Sequence, residues 1–208
     1  MHSKNRASLF DQWAGDYDQF VESHDTFPFD GYERVLNEIV IAAGVTDKRL
    51  VLDLGTGTGN LAKRFVSAGC TVWATDFSPQ MLAQGRVKLP QVHFIEADLL
   101  GSWPNELPER FDRIVSAYVL HEFDLATKIK LLKRMAASLA DDGRIVIGDI
   151  AFPTTRIRQQ AHQRLADVWD EDEFYWAADE AMSACEEAGL HLTYQQISSC
   201  AGVFVIKE

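Results

Sequence analysis

The sequence has little cysteine and no long apolar run, and each shortage excludes a class of protein. Only three of its 208 residues are cysteine. With an odd count and no Cys-x-x-Cys pair, neither a disulfide framework nor a thiolate zinc site is expected. A reducing, cytoplasmic compartment fits this composition, and the thiols are interpreted as small packing residues. We predict no membrane-spanning segment and no secretory signal, because no uninterrupted apolar stretch is long enough.

Positive charge is also scarce. Lys and Arg number 20 against 31 Asp and Glu, which gives a formal net charge of −11. Binding to nucleic acid depends on Lys and Arg that neutralise phosphates, and anionic membrane surfaces attract basic segments. We therefore expect neither nucleic acid nor a membrane as a partner. The hydrophobic share of 47% and the charged share of 25% are ordinary for a globular protein with one sizeable core.

The stretch from Leu50 to Asn60, L-V-L-D-L-G-T-G-T-G-N, organises the chain. Its apolar run, interrupted only by Asp53, is typical of a strand that is buried on both faces. Three alternating glycines follow, and they let the backbone turn sharply and approach a ligand closely. A helical pattern then runs from Leu61 to Gly69. Strand, glycine loop and helix form the first unit of a nucleotide-type α/β site.

Further strands and helices alternate along the chain, which predicts βαβ units and a mainly parallel sheet. Apolar residues at helical spacing precede the first strand and end at Gly44, and Ser78-Pro79 begins another helix. Residues 155–188 are predicted to be mostly helical, with an acidic, aromatic interruption at 169–176. The last two strands are close in sequence and predict an antiparallel hairpin. The other strands are predicted at 70–75, 92–95, 111–119, 144–148, 191–197 and 202–206.

Three acids, Asp76, Asp98 and Asp149, follow predicted strands at the edge of the sheet where ligands bind. Asp76 lies about 20 residues beyond the glycine loop, where a carboxylate can accept both hydroxyls of a ribose. Asp98 could accept from an adenine amine. Asp149 could equally be a loop acid, so its role stays open.

These motifs together resemble the class I S-adenosylmethionine-dependent methyltransferases. The resemblance rests on V-L-D-L-G-T-G-T-G-N, A-T-D-F-S-P-Q-M-L, E-A-D-L and F-D-R-I-V-S-A-Y-V-L-H, and it covers roughly residues 11–152. The N-terminal F-D-Q-W-A-G-D-Y-D is similar to a segment that precedes the sheet in many small bacterial members. The resemblance implies S-adenosylmethionine as cofactor and S-adenosylhomocysteine as product.

The resemblance also implies a fold. It is a doubly wound, mainly parallel α/β sheet of seven strands in the order 3-2-1-4-5-7-6, with strand 7 antiparallel and helices on both faces. One Rossmann-like domain would span residues 1–208, with an N-terminal helical cap over about 1–45.

The resemblance implies a different set of residues for each part of the cofactor. The methionine part would be held by Gly55, Thr56, Gly57 and Gly59, and the ribose by Asp76. The adenine would be bordered or contacted by Phe77, Met81, Asp98 and Leu99. Trp13 and Tyr17 would cover the cofactor, since an aromatic face suits a sulfonium cation, and Ala117 and Tyr118 would lie beside the site.

On the acceptor side, His121 follows the fourth strand, where the family often carries a general base. The alternative is that His121 packs or caps the next helix. Tyr118 and Glu122 are further candidates. We expect a small-molecule acceptor, because the chain has no basic groove for a polymer, and residues 152–175 are expected to form a lid with the N-terminal segment. The sequence does not indicate an oligomeric state.

Three other functions are alternatives to methyl transfer. A nicotinamide-dependent oxidoreductase would carry G-x-G-x-x-G, but here the third glycine comes one residue early. A non-catalytic S-adenosylmethionine- or adenosine-binding protein could share the fold. A metalloenzyme would rest on His121-Glu122, which fails the H-E-x-x-H pattern because Leu125 replaces the second histidine. We therefore predict no metal from the sequence.

Overall fold

The computed structural model of the protein describes Asp18, Val21 and residues 26–207. The helices are α1 (Tyr32–Ala43), α2 (Asn60–Ser67), α3 (Pro79–Lys88), α4 (Leu125–Ala137), α5 (Thr155–Arg164) and α6 (Ala178–Glu187), with a 3₁₀ turn at Leu120–Glu122. The strands are β1 (Leu50–Leu54), β2 (Thr71–Asp76), β3 (His93–Glu96), β4 (Phe111–Ala117), β5 (Leu139–Phe152), β6 (Trp176–Ala177), β7 (Leu192–Gln196) and β8 (Ala201–Lys207).

The strands form one sheet in the order β3-β2-β1-β4-β5-β8-β7. β8 runs antiparallel to β5 and β7, and the pairs from β3 to β5 are parallel. The predicted strand order is confirmed. The numbers of the last two strands shift by one because the two-residue β6 pairs with β5. Most of the predicted N-terminal cap, 1–45, lies outside the described residues.

Helices cover both faces of the sheet, as a buried parallel sheet requires. On one face α1, α2 and α3 bury Ile39, Phe65 and Leu82. On the other face α4 and α6 bury Leu132 and Cys185. β1 and β4 lie between these two apolar layers, and this placement explains the nearly continuous apolar sequence of β1.

The fifth strand is longer than the sequence predicts. The prediction gave 144–148, whereas β5 spans Leu139–Phe152. Leu139 pairs with Phe111, and the register then shifts at an irregularity before the regular pairing begins at Arg144. The polar residues 141–143, which predict a turn, lie in this irregular part, where Asp142 has a φ of 60°. The other end of β5 carries Asp149 into the interior.

Local signals at helix ends are confirmed. Gly44 ends α1 with a φ of 56°, and the Ser78 hydroxyl accepts a hydrogen bond from the Met81 N–H at the start of α3. All three cysteines are free thiols. Within the described part of the chain, no helix combines the length and apolar character that a bilayer crossing requires.

Candidate functional site

The glycine loop connects β1 to α2 at the centre of the sheet edge. Gly55 and Gly57 have φ values of 67° and 55°, a conformation that glycine adopts without steric cost. A Cβ atom on Gly55 would lie 2.5 Å from Cγ2 of Val119, whereas one on Gly57 would meet no atom within 4 Å. Gly55 is therefore required for packing against the end of β4. Gly57 faces open space, where a ligand can approach the backbone.

Asp76, the last residue of β2, connects this loop to the neighbouring strand. The Gly57 N–H donates to its Oδ2 atom at 2.8 Å, and the Ser78 N–H donates to its Oδ1 atom at 2.8 Å. The Thr56 N–H donates to the Thr75 carbonyl at 2.9 Å. Two sequence-predicted cofactor residues are thus in direct contact.

The predicted adenine residues follow β2 and β3 at the same edge. Asp98 and Leu99 line a crevice with Leu54, Thr75 and Ala97. The Leu100 N–H donates to Asp98 Oδ1 at 2.8 Å, and the Asp98 side chain is exposed. Phe77 is half-buried and Met81 is buried at the start of α3. Contact between these residues and a cofactor stays a prediction.

Tyr118 follows β4 in a left-handed conformation, with a φ of 56°. Such a conformation costs a non-glycine residue roughly 1–3 kcal/mol and is concentrated at functional sites. The Tyr118 N–H donates to the carbonyl of Gly148, which pairs with Ala117. The Tyr118 ring contacts Tyr32 and Phe29, with centroid distances of 5.2 and 5.7 Å. The residue therefore packs between the sheet edge and the N-terminal side of the fold.

Asp18 contacts the glycine loop. Trp13 and Tyr17, the predicted aromatic cover, lie outside the described residues, but Asp18 directly follows Tyr17 in the Y-D pair. The Asp18 carboxylate accepts hydrogen bonds from three side chains at the loop and the adjoining helices: Thr58 at 2.6 Å, Asn60 at 3.0 Å and Lys88 at 2.5 Å.

His121 is held by Asp149 across the ends of β4 and β5. Its Nδ1 atom lies 2.6 Å from Asp149 Oδ1, and its backbone N–H donates to Asp149 Oδ2 at 2.9 Å. The same carboxylate accepts from Trp176 Nε1 at 3.0 Å and from the Ile150 N–H at 2.8 Å. Burial alone would lower the pKa of His121, but the Asp149 carboxylate raises it above its usual value.

The other ring nitrogen of His121 faces two acids. Nε2 lies 3.9 Å from Glu122 Oε1 and 3.7 Å from Glu173 Oε1. Glu122 belongs to the 3₁₀ turn after β4, whereas Glu173 comes from the segment between α5 and β6. That segment is anchored here because the Phe174 N–H donates to the His121 carbonyl at 2.7 Å.

Next to Glu173 lies a cavity of about 310 Å³. Lys128 projects into it from α4 and is only 2% exposed. The Lys128 Nζ atom lies 4.2 Å from the centroid of the Trp176 ring and donates to the Phe174 carbonyl. Burial lowers the pKa of Lys128 to about 8. The cavity is also lined by Arg158, Trp169 and Tyr175.

Comparison with known proteins decides the family. A family model described as a methyltransferase domain matches residues 51–143. An uncharacterized methyltransferase of Anoxybacillus flavithermus is 35% identical over 161 residues, which cover 76% of this chain and 71% of the relative. The chain belongs to the class I S-adenosylmethionine-dependent methyltransferases. A second relative of this methyltransferase, from Oceanobacillus iheyensis, is 29% identical and covers 96% of both chains.

Solved structures with the same fold extend the comparison. The magnesium protoporphyrin IX methyltransferase of Synechocystis, with S-adenosylhomocysteine bound, has a TM-score of 0.76 at 17% identity and covers 99% of both chains. A complex of DhpI with S-adenosylmethionine and HEP also has a TM-score of 0.76, at 19% identity, and covers 100% of this chain and 99% of DhpI. At these identities the likeness shows the fold alone.

The methyltransferase carries one buried acid to which the sequence analysis assigned no role. Asp53 in β1 is 1% exposed and accepts a hydrogen bond from the Thr56 hydroxyl at 2.6 Å. Burial raises the pKa of Asp53 to about 7, and the nearby charge of Asp76 acts in the same direction. The one available signal was an acid within an otherwise apolar strand. A cationic ligand at the loop would favour the ionised form of both acids.

We expect Asp53 to make the methyltransferase less stable as the pH rises from about 4 to about 8. The folded protein holds the Asp53 proton up to about pH 7, whereas an unfolded chain loses it near pH 4, so folding is favoured at low pH. The Asp53→Asn variant should lack this pH-dependent loss of unfolding free energy, which amounts to a few kcal/mol. Urea unfolding of both proteins at pH 5, 6, 7 and 8 measures the difference. Parallel pH dependences would contradict the assignment.

Proposed function

We propose that the chain transfers the methyl group of S-adenosylmethionine to a small-molecule acceptor. The observation that carries this proposal is the contact between the loop and the acid: Gly57 donates to Asp76, beside a glycine whose missing Cβ leaves open space. This arrangement supports a site for an adenosine with a charged sulfur. Two structural neighbours hold S-adenosylmethionine or S-adenosylhomocysteine, which supports the same cofactor here.

The residues divide between the two ends of the proposed cofactor. Gly55, Thr56, Gly57 and Gly59 would hold the methionine part. At the other end one acid would accept the ribose hydroxyls, and the crevice after β3 would take the adenine. The remaining proposed cofactor residues are Asp76, Phe77, Met81, Asp98, Leu99 and Ala117, together with Trp13 and Tyr17 as the cover.

The cavity beside Glu173 supports a small acceptor. Its volume of about 310 Å³ is at the lower end of the range of small-molecule sites. Its lining combines aromatic rings with the buried Lys128 ammonium and the Arg158 guanidinium. A pocket of this size and polarity suits a compact, polar molecule better than a polymer.

When bound, S-adenosylmethionine supplies a methyl group on a positively charged sulfur. The chain then has to align the acceptor, and correct orientation is worth roughly 7–11 kcal/mol in comparable reactions. His121 and Tyr118 are the proposed catalytic side chains on the acceptor side. The Asp149 carboxylate fixes the His121 ring through Nδ1 and leaves Nε2 to accept a proton from the acceptor.

The acceptor class can be tested by measuring S-adenosylhomocysteine release. Purified protein and S-adenosylmethionine are incubated with a panel of small hydroxyl, amine and thiol compounds, and separately with total tRNA and with protein extract. The proposal expects turnover with members of the small-molecule panel. Faster methylation of tRNA or protein would contradict it, and cofactor binding without any turnover would favour a binding protein.

Replacement of Asp76 by Ala should weaken binding of S-adenosylhomocysteine by roughly 10–100-fold. The variant loses hydrogen bonds of a charged acceptor, each worth about 1.5–3 kcal/mol, and it releases the Gly57 N–H from its partner. Calorimetry on the wild type, Asp76→Ala and Asp76→Asn measures the effect, with thermal unfolding as a control for folding. Unchanged affinity in a folded Asp76→Ala protein would show that Asp76 does not bind the cofactor.

A further inference from the structure

The sequence argues against a thiolate zinc site and against an H-E-x-x-H site, but the fold adds a third ligand from a distant segment to His121 and Glu122. His121, Glu122 and Glu173 each offer one ligand atom, and these atoms all lie within 4.8 Å of one another. In a tetrahedral site with bonds of about 2.1 Å, ligand atoms are roughly 3.4 Å apart. The spacings of 3.7 and 3.9 Å around Nε2 exceed this value by a few tenths of an ångström. The third spacing, between the two glutamate oxygens, is at most 4.8 Å, so rotation of the glutamate side chains would close the site around an ion.

The orientation of His121 is an independent observation that indicates a ligand at Nε2. The ring side chain is more than nine-tenths buried, and Nδ1 is hydrogen-bonded to Asp149. Metal-binding histidines almost always donate the other ring N–H to a carboxylate, a backbone carbonyl or water, which fixes the tautomer and the ring orientation. Asp149 is itself fixed by Trp176 and by two backbone N–H groups. Nε2 is thus aimed at the two glutamates, whose nearest oxygens lie 3.9 and 3.7 Å away, beyond hydrogen-bond distance.

Both glutamates are largely shielded from solvent. The side chain of Glu173 is 15% exposed and that of Glu122 is 19% exposed. Glu122 follows His121 directly in the 3₁₀ turn, and Glu173 directly precedes Phe174, whose N–H donates to the His121 carbonyl. An ion bound by all three residues would keep open coordination positions, as catalytic sites with three protein ligands do.

We propose that His121, Glu122 and Glu173 bind a divalent transition-metal ion that holds an oxygen of the methyl acceptor. One imidazole and two carboxylates form the mixed nitrogen and oxygen set that suits Zn²⁺ or Mn²⁺ better than Ca²⁺. The role in methyl transfer rests on the proposed function, whereas the ion site itself does not. In the sequence the site begins three residues beyond Tyr118, and it shares Glu173 with the 310 Å³ cavity.

The proposal gives the acceptor a chemical class and changes the role of His121. A hydroxyl bound to the ion is more acidic, so its O–H bond breaks and the proton passes to bulk water. The acceptor oxygen then forms a bond to the methyl carbon as the bond from that carbon to sulfur breaks. The products are a methyl ether and neutral S-adenosylhomocysteine. His121 acts here as a ligand and not as the proton acceptor.

The test is calorimetric titration of chelator-treated protein with MnCl₂ and with ZnCl₂, and electron paramagnetic resonance counts the bound Mn²⁺. We expect one ion per chain for at least one metal. The Glu173→Gln variant should weaken its binding by at least about 10–100-fold. Glu171→Gln is the matched control, because Glu171 lies two residues earlier, pairs with the exposed His162 and is outside the cluster. Its affinity should equal that of the wild type.

Two results would overturn the metal site: no binding of either ion, or equal affinity in the wild type and Glu173→Gln. Either result would leave His121 as the proton acceptor. Binding of S-adenosylhomocysteine is measured on the same metal-free samples. Cofactor binding without ion binding removes the metal site and leaves the proposed function in place. Ion binding without cofactor binding contradicts the proposed function and keeps the metal site.

Discussion

The His121→Asn variant should lose roughly 10²–10⁴-fold in kcat, the range expected when a group that handles a proton at the reacting atom is removed. The asparagine amide can keep a hydrogen bond to Asp149 in place of Nδ1, but it has no counterpart of Nε2. The same loss is expected whether Nε2 takes the proton or binds an ion. Release of S-adenosylhomocysteine with an acceptor from the active panel measures the change.

The matched control for this variant is His191→Asn. His191 directly precedes β7, is exposed and lies outside the lining of the 310 Å³ cavity. Its kcat should stay within about threefold of the wild type, since changes at exposed positions have small effects. Cofactor affinity should be unchanged in both variants. If His121→Asn kept wild-type turnover, His121 would be a packing residue, the alternative that the sequence left open.

Replacement of Asp149 by Ala should lower the free energy of unfolding by about 3–5 kcal/mol, the cost of removing one partner from a buried charged network. Asp149 is fully buried and accepts hydrogen bonds from His121, Trp176 and Ile150. The variant leaves these donors buried without an acceptor. For a chain of this size the midpoint of thermal unfolding should fall by roughly 2–4 °C per kcal/mol.

Asp141→Ala is the control for Asp149→Ala, because Asp141 lies in the same strand and is exposed. It should change the free energy of unfolding by no more than about 0.5 kcal/mol. Urea unfolding without cofactor measures both variants. Equal stability of the two variants would show that the network around Asp149 contributes little to the stability of the fold. It would also contradict the conclusion that Asp149 holds His121 in place.

The parts of this fold that local sequence determines could be predicted. The order of the main strands follows from alternating apolar runs and from the resemblance, and the Ser78 cap and the Gly44 helix end follow from short-range signals. β6 could not be predicted, since two residues that pair with the end of β5 have no periodic pattern. The length of β5 was missed because polar residues 141–143 indicate a turn, whereas the structure places them in an irregular strand.

The candidate site, too, could be predicted from the sequence only in part. Asp76 and the glycine loop were predictable because their spacing is set within one βαβ unit. The association of Asp149 with His121 and Trp176 was not, since it depends on how three distant segments meet in the fold. Glu173 likewise lies 52 positions from His121 in the sequence, and no local motif joins them. Asp149, which the sequence left as a possible loop acid, is the centre of the network.

Calorimetry of the wild-type protein with four ligands tests the central claim most directly. The ligands are S-adenosylmethionine, S-adenosylhomocysteine, NAD⁺ and NADH, each titrated under the same conditions. We predict one binding site for each sulfur compound, with Kd at or below the micromolar range, and no binding of either nicotinamide up to about 1 mM. Tight binding of NADH with no binding of either sulfur compound would contradict the account.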